Sequence, residues 1–403
     1  MSSARKLAKS LLYHARAARI RALAVPRRST WLRRQLNLPA NETFDPFRDA
    51  PPPGATFAAL EPAATFRRPL PELPDAHPAA LAFFARHTEE SLAPRGVATF
   101  DGGVAWGHPT GGVFTAQGHF VPVFTHDPCG DAFHTVWTRL HLPAPRRLAG
   151  RVLYLVTPEA TDNFHHWLVD LLPRLGLVQR AGHRLADFDR VIVNHAGRGY
   201  QFATLERLGI PREKIVAADA SLLVRADQLV VPSLKASNQT LPSSDLAFLQ
   251  RSFLGHRPNG RPSRRIFLSR ADAAFRRLSN EPALHPLLRA HGFEIVTPGQ
   301  LSLPEQARLF AEAAVVAGPA GAGFANLVFA NPPAHAIEIA EPGWLAAFHW
   351  MISARAGLRH TVLLGEGEVM RGVPDSSARQ RDIVVDPEKL AALLSAVPAA
   401  VTA

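Results

Sequence analysis

From Arg151 onward the chain alternates between short apolar runs and amphipathic stretches of helical period. RVLYLV (151–156), RVIVN (190–194), KIVAA (214–218) and LLVRADQLVVPSL (222–234) have the β-branched content of buried strands. Residues 163–181, 200–208 and 244–254 carry apolar positions on one helical face. The breaker-rich HRPNGRPS (256–263) interrupts this pattern, which then restarts. Strands follow at RIFLS (265–269), FEIVT (293–297), 313–317, 336–340 and HTVLL (360–364), with helices at 282–291, 304–314, 324–329 and 344–356. Strands separated by helices predict right-handed crossovers and parallel sheets covered on both faces. Upstream, residues 95–125 alternate around Gly102-Gly103 and Gly111-Gly112. Val97, Val104, Val113, Phe120 and Val123 there predict short antiparallel strands. Residues 41–80 are proline-rich and read as an extended linker. The expected organisation is an arm and linker over 1–80, an α/β domain over 81–255 and a second over 256–403, with a cleft between the two domains. Ligands of such sheets sit beyond the carboxyl ends of the strands.

Charge alters this picture at one end only. The net charge is +11, and the first 41 residues hold Arg5, Lys6, Lys9, Arg16, Arg19, Arg21, Arg27, Arg28, Arg33 and Arg34 with no acid before Glu42. The excess is therefore a basic N-terminal arm on a nearly balanced body. Leu7, Leu11, Leu12, Ala15 and Ala18 fall at helical spacing within it. A basic amphipathic helix suits an anionic membrane surface, and a solvated extension is the simpler alternative. The body lacks the interleaved basic and aromatic residues of a nucleic-acid surface. A single cysteine, Cys129, excludes an internal disulfide and a cysteine-based zinc site, and fits a reducing, cytoplasmic setting.

Three segments carry candidate chemistry. In Ala313 to Ile339 an apolar run enters Gly318, Pro319, Ala320, Gly321, Ala322 and Gly323, and a helical segment leaves it. Strand, small-residue loop and helix offer bare backbone N–H groups to a phosphate, although such turns also serve close packing. In TDNFHHWLVDLLPRL (161–175), Thr161 or Asp162 is a candidate cap. Asn163, His166 and Asp170 recur on one face, away from the leucines. A carboxylate four residues from an imidazole orients it for acid/base work or forms a structural pair. Pro173 removes a helical N–H and should kink this helix. In RRIFLSRADAAFRRLSNE (264–281), Arg270, Arg276, Arg277, Asn280 and Glu281 follow a strand end, where guanidinium forks match phosphate oxygens. Glu338 lies in an apolar strand and needs donors, from a sugar or ribose or from the protein itself. Asp187-Phe188-Asp189 precedes a strand, so it reads as a capped turn and is assigned no metal.

Together these segments resemble glycosyltransferase family 61, long described as a domain of unknown function. NFHHWLVDLLPRL is similar to its N-x-x-H-W-x-x-D-x-L-P-R-L segment, and FLSR with RRLSNE to its S-R…R-x-x-N-E segment. PEQARLFAEAAVVAGPAGAGFANLVFANPP, followed by AIEI, is similar to its E-Q…G-x-H-G-A-G-x-x-N-x-x-F segment. The resemblance implies a GT-B-like α/β architecture of two Rossmann-type domains. It implies an inverting, metal-independent hexosyl- or pentosyltransferase that needs no cofactor and moves a sugar from a nucleotide-diphosphate sugar to a glycan or lipid-linked acceptor. Bacterial relatives resemble capsular and exopolysaccharide enzymes, acting in the cytoplasm at the inner membrane face. The implied roles put His166 and Asp170 in catalysis, with Asn163 and Trp167 on the acceptor side. Arg270, Arg277, Asn280, Glu281, Gly318, Gly321, Ala322, Gly323, Asn326 and Glu338 form the donor site. One departure stands out: the histidine of the family's H-G-A-G is Ala320 here. A non-catalytic nucleotide- or glycan-binding protein on the same scaffold is the alternative.

Overall fold

The structure is a computed structural model that describes residues 3–127, 131–235, 240–255, 261–370 and 377–397. Cys129 and the first part of the 256–263 breaker lie outside the described residues. The chain forms two compact units, Met1–Ala63 with Ala93–Leu234 and Ala64–Leu92 with Lys235–Ala403.

The strands, in chain order, are β1 (Ala55–Glu61), β2 (Ala64–Arg67), β3 (Glu89–Leu92), β4 (Arg95–Asp101), β5 (Val104–Trp106), β6 (Val113–Phe114), β7 (Arg146–Tyr154), β8 (Arg190–Val193), β9 (Ile215–Ala217), β10 (Leu223–Pro232), β11 (Arg264–Leu268), β12 (Phe293–Val296), β13 (Ala313–Pro319), β14 (His335–Ala340) and β15 (Arg359–Leu364). In the first unit the sheet runs β1-β4-β10-β7-β8-β9, with β5 and β6 paired off β10. β10, β7, β8 and β9 are mutually parallel, and β1, β4, β5 and β6 add antiparallel pairs. Val123, expected in a strand, lies in the 3₁₀ turn Pro122–Phe124. Proline at its start supplies no N–H to a ladder.

The basic arm is a helix, Ser3–Arg28, followed by a short one, Thr30–Leu36. It lies on the first unit through an unusual inward face. Arg27 is buried, donates to the Trp137 carbonyl at 2.7 Å and lies 5.2 Å from the centre of that indole. Burial pushes its pKa down to about 10. Arg16 donates to the Phe133 carbonyl and pairs with buried Asp127 at 3.3 Å. Leu11, Ala15 and Ala18 of the apolar stripe are exposed instead; Leu7 and Leu12 have no described side chain. Among the described residues no helix is long and apolar enough to cross a membrane.

In the second unit five parallel strands run β12-β11-β13-β14-β15. Counted within the unit this is the order 2-1-3-4-5, and the sheet reverses direction of growth between β11 and β13. Part of the expected linker belongs to this unit. Glu72 bridges to Thr361 at the β15 edge, and Trp350 donates to the Pro69 carbonyl at 3.0 Å. The helix Ser243–Phe253, expected in the preceding domain, also packs here. Its Gln250 donates to the Val328 carbonyl at 2.8 Å, and Phe253 meets Phe329. The breakers at 256–263 thus follow a helix whose apolar face is satisfied by later sequence, which no local pattern announces.

Candidate functional site

In the first unit the polar cluster sits just past β7, in the sheet's parallel region. Asn163, not Thr161 or Asp162, caps the helix by accepting from the His165 N–H at 2.9 Å. Asp162 is engaged by Arg198 through two bonds of 2.7 Å, and Thr161 accepts from Asn194 at 2.8 Å. Pro173 has no N–H to give, and the helix answers by widening to a π turn over Trp167–Leu171. There the Leu172 N–H reaches the Trp167 carbonyl at 3.1 Å. His166 Nδ1 lies 2.6 Å from Asp170 Oδ2, and its Nε2 lies 2.9 Å from Glu159 Oε2. His166 and Asp170 are buried, whereas the Glu159 side chain is half exposed. Glu159 holds a left-handed backbone, φ 62°. Such strain in a non-glycine residue persists only where its surroundings fix it. The turn it occupies is fixed from below by buried Arg174, which donates to the Val156 carbonyl and Thr157 hydroxyl at 3.0 and 2.9 Å. Asn194 clamps the same turn through Thr157.

Burial alone would lower the His166 pKa, but the bonds and charges of Asp170 and Glu159 outweigh it and push it up to about 9. The ring is therefore an imidazolium at neutral pH, and the solvent-facing Glu159 carboxylate is the member able to meet a hydroxyl. Because the folded pKa is raised above the ordinary 6.5, the stability from this charge is complete below about pH 6.5 and lost as pH rises through 9. Histidine NMR should show His166 titrating near pH 9, and Glu159→Gln should lower that midpoint by about 1–2 units. A wild-type midpoint below 7 would contradict the triad.

In the second unit Arg270, Gly318–Gly321 and Glu338 converge at the carboxyl ends of β11, β13 and β14. Gly318 pairs in register with Glu338. Its φ of 154° and the 2.7 Å gap from a would-be Cβ to the Leu268 carbonyl leave room only for glycine. Arg270 donates to the Arg276 and Phe275 carbonyls at 3.1 and 2.9 Å, which holds its own loop. The rest of its guanidinium lies over Gly321, where any Cβ would collide with it. Arg276 has φ 54° and a buried Nε without a partner among the described residues. Burial and the nearby charges of Arg270 and Arg379 push its pKa down to about 10, against the attraction of Glu338. Like charges brought together out of water favour a polyanion between them.

The remaining expected donor residues hold this corner together. Arg277 turns outward and is held by Asp382 Oδ2 at 2.7 and 3.0 Å, so Arg276 is the arginine of the pair that joins Arg270. Asn280 spends both ends of its amide on Val385, at 2.7 and 3.3 Å. Glu281 is buried in the first turn of the helix Glu281–Ala290. Asn326 ties the glycine loop to Gln306, donating at 2.6 Å, and to the Gly323 carbonyl. Ala322 and Gly323 open a 3₁₀ helix, Ala322–Phe329, whose first N–H groups lack intrahelical partners. Glu338 finds its donors inside the protein, His349 at 2.8 Å and His360 at 3.2 Å. Trp167 is fully buried and donates to Thr204 at 2.9 Å, so it is a packing residue rather than an acceptor surface. Asp189 of the Asp187-Phe188-Asp189 triplet accepts from the Arg151 N–H at 2.8 Å, as a turn acid does.

Sequence reasoning missed Glu159 as part of the first cluster and passed over Arg276 in favour of Arg277. The signal for Glu159 was faint: an acid between a strand end and a capped helix. Residues 164–337 match the family model described as Glycosyltransferase 61. The matched span contains His166, Asp170, Arg270, Arg276 and the glycine loop, while Glu159 and Glu338 flank it. No curated protein matches the chain.

Proposed function

We propose, on the match of residues 164–337 to the Glycosyltransferase 61 family model, that the protein transfers a sugar from a nucleotide-diphosphate sugar to a hydroxyl acceptor. The family match supports the transferase class. The observation that carries the site is the Arg270 guanidinium lying against Gly321 where β11 and β13 diverge. In sheets of this order, ligands bind at that point of reversal. In this reading Arg270, Arg276 and the loop N–H groups of 321–323 hold the diphosphate and stabilise the charge it gains as the glycosidic bond breaks. Arginine charge takes the role a metal has elsewhere. The Glu159–His166–Asp170 chain receives the acceptor's proton, with Glu159 meeting the hydroxyl and His166 holding Glu159. A direct attack by that hydroxyl inverts the anomeric carbon. The GT-B-like architecture, the glycan or lipid-linked acceptor, the cytoplasmic setting and a role in capsular or other envelope glycans belong to the same proposal. So does a peripheral seat on an anionic membrane through residues 1–40.

Gly321→Ala tests the donor site without disturbing the fold. The backbone at 321 is extended, and the colliding atoms are the far end of a flexible side chain. The unfolding midpoint should hardly move. Calorimetry with uridine, adenosine, guanosine and cytidine diphosphates should show the tightest binder weakened by about tenfold or more, the loss of one charge-assisted bond. Unchanged affinity would remove the loop from the donor site. Ala320 supports a second reading, a non-catalytic binder, because its N–H is given to the Ile339 carbonyl and its side chain cannot donate. Tight diphosphate binding with neither transfer nor donor hydrolysis would favour that reading.

A further inference from the structure

A cavity of about 490 Å³ lies in the first unit where the arm meets the sheet. Its apolar floor includes Phe114, Leu142 and Leu223, all buried, and its polar side includes Arg33, Arg225 and Gln117. Among the described residues no carboxylate lines it. The Arg33 Nε is buried without a partner among the described residues, and Arg225 uses one nitrogen on the Gly102 carbonyl at 2.9 Å. The walls are fixed by backbone bonds, Leu142 N–H to Leu36 at 3.1 Å and Ala40 N–H to Gly118 at 2.9 Å. Two residues from the lining Arg33 and Leu142 in sequence, Trp31 and Leu140 are 67% and 58% exposed. The arm helix exposes Leu11, Tyr13 and Val25 together with Arg19, Arg21 and Arg28. Two cations over an apolar floor match a phosphate carried on an aliphatic body. The volume is that of a small-ligand site.

We propose that this cavity binds the headgroup of an anionic phospholipid, with Arg33 and Arg225 on the phosphate and the apolar floor under the start of the acyl chains. The proposal deepens the membrane part of the functional reading and is independent of sugar transfer. It makes the arm's seat on a membrane specific for a headgroup, beyond the general attraction of a basic helix.

Monomeric dihexanoyl-phosphatidylglycerol tests the cavity directly, using the full chain and calorimetry. Wild type should bind it and bind dihexanoyl-phosphatidylcholine and inorganic phosphate far more weakly. Arg33→Gln with Arg225→Gln should weaken binding by about twentyfold, from two cations at a phosphate. Ala116→Trp, which fills the cavity mouth without changing charge, should also abolish it. Arg190→Gln, an exposed cation outside the cavity, should stay within about twofold, as screened charges do. Equal binding in the cavity variants, or no preference for phosphatidylglycerol, overturns the proposal. Flotation with vesicles of phosphatidylcholine doped with phosphatidylglycerol separates the two readings. If wild type does not float, the membrane reading fails whatever the soluble lipid does. If it floats equally in the cavity variants and is lost only in Arg19→Gln, Arg21→Gln, Arg28→Gln, the cavity has no part in it.

Discussion

Arg270→Ala should nearly abolish nucleoside-diphosphate binding, weakening it by about 30–150-fold. That range corresponds to about 2–3 kcal/mol for a charge-assisted interaction with phosphate. Two losses combine. The guanidinium that lies over Gly321 disappears, and with it the bonds to the Phe275 and Arg276 carbonyls that hold the loop. Arg276 then loses its fixed position as well. Arg270→Lys separates charge from geometry, because an ammonium keeps the attraction but cannot span the loop carbonyls and a phosphate together. It should fall between wild type and Arg270→Ala in the same titration. Arg277→Ala is the contrasting variant: its fork is committed to Asp382, so affinity should change little. Equal binding by wild type and Arg270→Ala would remove the arginine from the donor site.

The largest stability effect is expected at Glu338. Glu338→Ala should cost about 3–5 kcal/mol, because it leaves the buried ring donors of two histidines without their acceptor. The carboxylate accepts from His349 and His360, and His360 in turn meets the Ser353 hydroxyl at 2.9 Å. His349 stacks near Phe324 in the segment that follows the glycine loop, so the damage should spread to the site. Glu338→Gln keeps one acceptor and should cost less. Burial alone would raise the Glu338 pKa, but the charges and bonds of the two histidines outweigh it and hold the carboxyl well below its ordinary range. Its stabilisation is therefore present above the ordinary 4.5 and is lost only as pH falls through the lowered value. Urea unfolding should show the midpoint falling with an unchanged slope. A cost below about 0.5 kcal/mol would mean the network contributes little.

How much of this was legible in the sequence follows from how local each signal is. The alternation of strands and helices, the glycine loop and the placement of Arg270 just past a strand all follow from neighbouring residues. The contact between Arg270 and Gly321 needed only the strand order, since parallel strands carry their following loops to the same edge. The partners of Glu338 lie 11 and 22 residues downstream and come from a helix and another strand, so no local pattern named them. Arg276 and Arg277 are adjacent and chemically identical, and only the left-handed turn at 276 decides which faces the site. Glu159 was hidden for the same reason, since its backbone strain is invisible in sequence. Proximity in the chain places the helix Ser243–Phe253 and the stretch 64–92 with earlier sequence, yet both join the unit that offers them an apolar surface. The arm reversed a normal expectation: the burial of Arg27 and the exposure of Leu11, Ala15 and Ala18 cannot be read from helical period alone.

In the proposed function the carboxyl edge of the second unit's sheet holds the donor diphosphate. A crystal structure of the full chain with its tightest-binding nucleoside diphosphate tests this most directly. Phosphate oxygens should lie within hydrogen-bond reach of the Arg270 guanidinium and the backbone N–H groups of 321–323. A diphosphate bound anywhere else, with Arg270 still lying over an unvisited Gly321, would contradict it.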